Sequence, residues 1–371
     1  MSAIEVAAQT QQVLWSAFML ASVFGALAQI THFCTMGAIA DVYSMGDWRR
    51  ARMWLLAVGV AMIGFGVMAG RGVIDPAATF YSSPRLLWAS ALVGGLMFGA
   101  GMVLASGCGS KTLVRIGGGN LKSLVVLIVM GVAAAATLRG LTAVWRTNTI
   151  DLLMVELVTR QDLPSLLAPA LGVAKTDLSL VLGLGLGLAL CTASLLRSGD
   201  GKREMALAGA GVGVLVTAMW WVSGHLGFVP EHPETLEATY LASNTRAMEA
   251  FSFVAPAAAL LNWLTWFSDS SQVLNLAVVL PLGVVLGSAA AALARGEFRW
   301  EGFAGPADTA RHLGGAVLMG VGGVTAMGCT IGQGLSGLST LSLGSALATA
   351  GIVAGAVVAL RWQMCQLERQ A

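Results

Sequence analysis

Nine long apolar stretches decide what this chain can become. Residues 13–31, 53–70, 86–106, 123–138, 178–196, 205–224, 273–294, 313–328 and 342–360 carry almost no charge. Each approaches the roughly 20 residues an α-helix needs to cross a bilayer. Only 11% of all residues are charged and the mean hydropathy is +0.78, whereas an ordinary soluble protein has roughly 25% charged residues. The expected fold is an all-α integral membrane protein with about nine transmembrane helices and one membrane domain over 1–371. Short re-entrant helices are expected in 150–175, which Pro164 and Pro169 break, and in the long, partly apolar 225–272. The first stretch does not read as a cleaved signal peptide, because Glu5 precedes it and no Lys or Arg supplies a positive leader.

A net charge of +2 gives no reason to expect a nucleic-acid partner, since the basic residues are confined to short loops. Their distribution does predict orientation. Fourteen, including Arg49, Arg50, Arg52, Lys111, Arg115, Lys122 and Arg197, fall on one side of a nine-span arrangement, and seven, including Arg139 and Arg146, on the other. The positive-inside rule then puts the N-terminus outside and the C-terminus in the cytoplasm.

Overlaying the third stretch on the eighth with a shift of 221 pairs Gly94 with Gly315, Gly99 with Gly320, Gly101 with Gly322, Gly107 with Gly328 and Cys108 with Cys329. Glycine-rich helices also match by chance, because small residues serve plain helix packing. Parity is an independent guide: five spans separate the two motifs, so they point in opposite directions. The expected organisation is an inverted pseudo-two-fold repeat, 12–140 and 204–362, around an extra central span at 177–197. Secondary transporters use such repeats, with broken helices lining a site near the midplane.

The five cysteines divide by context. Cys34 (THFCTMGAIAD), Cys108 (ASGCGSKT) and Cys329 (AMGCTIGQG) each end an apolar stretch, and each follows a glycine nine residues earlier. Cys191 lies inside a span and Cys365 in the polar tail; both read as ordinary small residues. No CxxC or HxxxH spacing supplies a metal site. Opposed helix directions disfavour a disulfide between Cys108 and Cys329, unless both loops dip to the midplane. A thiol at the start of a short helix feels that helix's positive end, so an anion is the natural guest. Its S–H is a weak donor, and weak repeated contacts suit conduction. The stretch LASGCGSKTLVRIGGGN is not a phosphate loop, because Ser110 rather than glycine precedes Lys111 and an apolar helix precedes the turn. Gly107, Gly109 and Gly328 read instead as residues that let the thiols face a ligand.

With FCTMGAIAD, GCGSKTLVRIGGGNLKSL and HLGGAVLMGVGGVTAMGCTIGQGLSG in order, the sequence resembles the YeeE/YedE family of bacterial inner-membrane sulfur-transport proteins, whose characterised members take up thiosulfate. The resemblance covers most of the chain, although 150–175 and 225–272 match poorly. It implies that Cys34, Cys108 and Cys329 are the functional thiols, passing thiosulfate by S–H to sulfur contacts where short helices meet. It also implies a small soluble sulfur carrier of the TusA type as a cytoplasmic partner, and it extends to relatives suspected of moving other sulfur or selenium compounds. Parity and charge bias order the thiols from outside inward as Cys329, Cys108 and Cys34. Shifting Cys34 by 221 lands on Ala255, so the third thiol has no counterpart.

Other residues are accessory candidates. Thr330 and Gln333 offer polar contacts beyond Cys329. Lys111 and Arg115 offer a cytoplasmic landing patch, although orientation signalling explains them equally well. His32 could activate Cys34, but a histidine at a helix end more often bonds a free carbonyl, the preferred reading here. No catalytic residue, metal ligand or cofactor is expected, and no ATP site is visible. Asp and Glu are absent from the span interiors, where proton-coupled carriers commonly place a carboxylate. Three readings stay open: a sulfur-anion transporter, a membrane sulfurtransferase working through a cysteine persulfide, and a redox sensor closing a Cys108–Cys329 disulfide.

Overall fold

Helix boundaries follow local chemistry. In the computed structural model, which describes residues 2–196, 202–269 and 272–369, fourteen α-helices are present among the described residues. They are α1 (Ala3–Thr31), α2 (Thr35–Met45), α3 (Arg49–Gly70), α4 (Trp88–Leu104), α5 (Gly109–Gly117), α6 (Leu121–Arg139) and α7 (Leu141–Thr147), then α8 (Leu163–Leu171), α9 (Lys175–Leu196), α10 (Lys202–Trp221), α11 (Val254–Thr265), α12 (Leu276–Ala294), α13 (Pro306–Thr325) and α14 (Leu343–Glu368). Ser2 opens α1 through a capping box with Glu5, while Asn120 and Asn275 cap α6 and α12. Each cap satisfies an N–H that the first turn leaves free. Strand among the described residues is limited to two short antiparallel pairs, Arg85–Leu86 with Val155–Glu156 and Phe228–Val229 with Thr239–Tyr240.

The protein is an all-α integral membrane protein. Eight segments among the described residues are long and apolar enough to span: Ile4–Met45, Arg49–Gly70, Trp88–Gly117, Leu121–Arg139, Lys175–Leu196, Lys202–Leu226, Leu276–Ala294 and Leu343–Gln366. The remaining apolar stretch, the eighth at 313–328, begins within α13, whose first turns carry Asp308, Arg311 and His312. Those polar first turns lower its mean hydropathy below that of the other eight. In 150–175, Pro164 lies in the first turn of α8 and Pro169 inside it; in 225–272, α11 is a short apolar helix of twelve residues. Arg197, which closes the 177–197 segment, lies outside the described residues.

The long helices pack against one another in pairs. α4 lies against α13 and α14, α6 against α11 and α13, α3 against α9 and α10, and α1 against α12. Where α4 crosses α13, backbone meets backbone. A Cβ on Gly94 would sit 2.7 Å from the Gly322 carbonyl oxygen, and one on Gly322 would sit 2.7 Å from that of Gly94. Gly101 and Gly315 are related in the same way, at 2.7 and 2.6 Å. Only glycine permits this approach. Adding 221 to Gly94 and Gly101 gives Gly315 and Gly322, so the two contacts exchange under the sequence overlay.

Matching details continue past the crossing. The Gly107 N–H donates to Met102 O at 2.8 Å, and the Gly328 N–H donates to Gly323 O at 2.7 Å. Beyond the thiols the offset becomes 222: Gly119 and Leu341 both have positive φ, 95° and 59°, and Asn120 and Ser342 each accept from the N–H three residues on. The additional residue falls where α5 is a regular helix but its counterpart, Gly332–Gly337, is π-helical. A π turn closes over one more residue than an α turn.

Candidate functional site

Each of the three thiols highlighted by the sequence sits at the start of a helical segment. Cys34 is the N-cap of α2, and its Sγ accepts from the Gly37 N–H at 3.3 Å. Cys108 precedes α5 without capping it; its Sγ lies 3.2 Å from Ser110 Oγ. Cys329 precedes the π segment, where its Sγ accepts from the Gly332 N–H at 3.4 Å and faces the amides of Ile331 and Phe253. Cys108 and Cys329 are both 0% exposed, whereas Cys34 is half-buried. Oriented amides at such positions replace the water that an anion loses.

The structure brings these thiols together. Cys34 and Cys329 each lie within electrostatic reach of Cys108. Phe253 closes the gap between two of them: its amide faces Cys329, and its Cβ is 3.5 Å from where a Cβ of Gly109 would stand. It stacks with Phe251 and lies tilted against Phe24 in a buried aromatic cluster. All five cysteines are free thiols; Cys191 packs against Gly59 and Cys365 is exposed.

The flanking glycines act differently from the sequence reading. Gly107 and Gly109 have ordinary φ, and a Cβ on either would meet nothing closer than 3.4 Å. The chain reverses instead at Ser106, φ 58°, and at Met327, φ 56°. Gly328 is tighter, because a Cβ there would press on Gln333 Cγ at 2.9 Å. Gln333 Nε2 donates to Ala326 O at 2.7 Å, yet Gln333 Oε1, Thr330 Oγ1 and Thr35 Oγ1 are buried without partners. Such orphaned polar atoms are uncommon in native interiors. Here three of them stand beside Cys34 and Cys329.

The thiols separate two polar regions of different character. Lys111 lies within reach of Cys34, Cys108, Arg115 and Arg50, and the Arg115 guanidinium donates to Ser106 O at 3.1 Å. Arg50 pairs with Asp41 at 3.4 Å. His32, the left-handed C-cap of α1, is exposed beside this group and makes no hydrogen bond among the described residues, so the expected carbonyl contact is not formed. Beside Cys329 lies a cavity of about 600 Å³, lined among others by Tyr81, Arg139, Arg146, Glu249, Met327 and Gly328. Tyr81 is within electrostatic reach of both Cys329 and Glu249. Burial pushes its phenol far above the ordinary value, so it stays a neutral donor. Sequence reasoning missed Tyr81, Glu249, Phe253 and Trp54, whose buried indole N–H has no partner and whose ring lies against Gly334. Tyr81, Glu249 and Phe253 belong to irregular segments with no motif or periodicity to mark them.

The profile of the family described as Sulphur transport matches residues 31–358, a region that contains all three thiols. This chain belongs to the sulphur-transport family. Two curated relatives are similar over nearly the full length. The thiosulfate transporter TsuA of Escherichia coli (strain K12) is 26% identical over 327 residues, 87% of each chain. The protein of the same name from Spirochaeta thermophila is 24% identical over 355 residues, 92% of this chain and 97% of that one. The probable transporter YedE of Escherichia coli (strain K12) is 30% identical over 110 residues, 29% of this chain and 25% of its own. The YeeE/YedE resemblance of the three cysteine motifs is thus a family membership. Within the sulphur-transport family, this member is a multi-pass membrane protein.

Proposed function

We propose that this protein carries thiosulfate, or a closely related sulfur-containing anion, across the bacterial inner membrane through a path lined by Cys329, Cys108 and Cys34. One observation carries the reading: Cys108 is within reach of both other thiols, linking the cavity beside Cys329 to the cations around Cys34. The names of its full-length relatives support the choice of anion. Thr330, Gln333 and the amides at Cys329 contact the anion from the cavity side. Lys111 and Arg115 receive it on the other side, where a small TusA-like carrier would collect it. His32 is accessory there. The path has no catalytic residue and needs no cofactor; thiol contacts hold the ion weakly enough for it to leave.

The same proposal includes the architecture. Residues 12–140 and 204–362 form inverted repeats around the span at 177–197, with the N-terminus outside and the C-terminus in the cytoplasm. The exchanging Gly94–Gly322 and Gly101–Gly315 contacts support it, since a two-fold axis requires such reciprocity.

Uptake of labelled thiosulfate into vesicles containing only this protein tests the function. The wild type should accumulate label. Cys34→Ala, Cys108→Ala and Cys329→Ala should each lose most of it, while Cys191→Ala and Cys365→Ala keep it. Unimpaired uptake in all three relay variants would reject the thiol path. Labelled persulfide on Cys108 or Cys329, with no intact thiosulfate inside, would replace transport by sulfur transfer.

A further inference from the structure

The cavity beside Cys329 contains a carboxyl group with no part in the thiol path. Glu249 lies in the loop before α11, is half-buried, and lines the cavity with Tyr81, Arg139 and Arg146. Its two oxygens have different surroundings. Oε1 accepts from Ser243 Oγ at 3.0 Å, from the N–H groups of Asn244 at 3.0 Å and Thr245 at 2.7 Å, and from Thr245 Oγ1 at 2.7 Å. Oε2 makes no hydrogen bond among the described residues. A carboxylate has about four lone-pair sites in all, so four donors leave Oε1 no room for a proton. A proton can bind only at Oε2, on the unoccupied side of the group.

The charges around Glu249 set what that proton would do. From α6 comes Arg139, which makes no ion pair among the described residues. From α7 comes Arg146, whose Nε is 3.2 Å from Asp151 Oδ2 and therefore already paired. Tyr81, within electrostatic reach of both Glu249 and Cys329, is a neutral phenol. Arg246, on the same loop, is exposed. The lining from α11, from α12 and from its N-cap Asn275 is uncharged, with Asn262 and Asn275 as polar members. A dianion entering this space meets one unpaired cation and one carboxylate. Ionised, Oε2 repels the anion at close range, where low dielectric strengthens the effect. Protonated, the same oxygen becomes an O–H donor.

We infer that Glu249 takes up one proton at Oε2 when the anion occupies the cavity, so that anion and proton bind together. This rests on the proposed anion transport. The proton comes from water on the cavity side, forms a new O–H bond at Oε2, and returns to water when the anion leaves. The nine apolar stretches of the sequence carry no carboxylate, yet the protein places one where it can sense the cargo.

Binding of thiosulfate to the full-length protein in detergent, measured calorimetrically from pH 5 to 8 in buffers of different ionisation enthalpy, tests the inference. Thiosulfate is a dianion throughout that range, so any proton taken up belongs to the protein. Wild-type affinity should fall with rising pH, approaching about tenfold per unit for one linked proton, and the heats should depend on the buffer. Glu249→Gln keeps an acceptor for the four donors and offers an N–H₂ in place of the protonated oxygen. It should bind with nearly the wild type's low-pH affinity, independent of pH and buffer. An infrared difference spectrum of the wild type should also gain a protonated carboxyl band on adding thiosulfate, a readout that needs no variant. A wild-type pH slope retained by Glu249→Gln, or no carboxyl band, would overturn this inference alone. No binding at any pH would overturn the thiosulfate reading and this one with it.

Discussion

Ser106 and Met327 hold the same left-handed backbone, φ 58° and 56°, two residues before Cys108 and Cys329 respectively. Neither is glycine, although glycine follows each. For a residue with a Cβ this conformation costs about 1–2 kcal/mol, and a β-branched side chain tolerates it least. Ser106 is exposed, so its substitution tests the backbone alone. Ser106→Val should lower the unfolding temperature in detergent, while Ser106→Gly leaves it unchanged or raises it.

The α4–α13 crossing predicts a contrast among glycines. Gly94→Ala and Gly315→Ala place a Cβ against opposing backbone that cannot yield, and overpacking of this kind costs about 1–3 kcal/mol. Gly185→Ala and Gly314→Ala have nothing within 4 Å to meet. The first pair should unfold earlier than the wild type on thermal melting, and the second pair should not.

Thr330 Oγ1 is buried without a partner. Thr330→Val keeps the shape and removes the orphaned hydroxyl, relieving a desolvation penalty of about 1–3 kcal/mol. The ligand-free protein should therefore melt higher. If the hydroxyl serves the anion, thiosulfate uptake should fall in the same variant; a gain in stability with full uptake would make Thr330 a bystander.

Burial pushes the Glu249 carboxyl above its ordinary value of 4.5, although hydrogen bonds from Thr245, Ser243 and Asn244 pull it down. Folding thus raises the proton affinity of this group. Its linked stabilisation is complete below pH 4.5 and is lost as pH rises through the folded-state value. Melting of the ligand-free wild type against Glu249→Gln should show the wild type losing ground as pH rises from 4.5, with no such trend if the carboxyl is unshifted.

Much of this was legible in the sequence because membrane crossing imposes a long, uncharged run that few other constraints imitate. The thiols were legible for a similar reason: Cys34, Cys108 and Cys329 interrupt apolar runs with turn chemistry that Cys191 lacks. The glycines were partly misread. Gly94 and Gly101 serve helix contact as expected, but Gly107 and Gly109 stand beside a turn that Ser106 makes, and nothing in a serine announces a positive φ. Arg139 and Arg146 read only as minority charges of the outer loops, yet both line the cavity. Tyr81 and Glu249 were invisible because their positions depend on loops folding back over the helices, a tertiary outcome with no periodicity behind it.

The glycine crossing has a mechanical consequence. Gly94 and Gly101 stand seven residues apart, about 10 Å along the helix, and each is pressed to α13 by bare backbone. A rod clamped at two separated points can neither pivot nor slide. The thiol-bearing turns at the ends of α4 and α13 therefore cannot draw apart by tilting these two helices. Any change in the span between Cys108 and Cys329 must arise in the few residues of the turns themselves, which makes the crossing the fixed ruler of the proposed path.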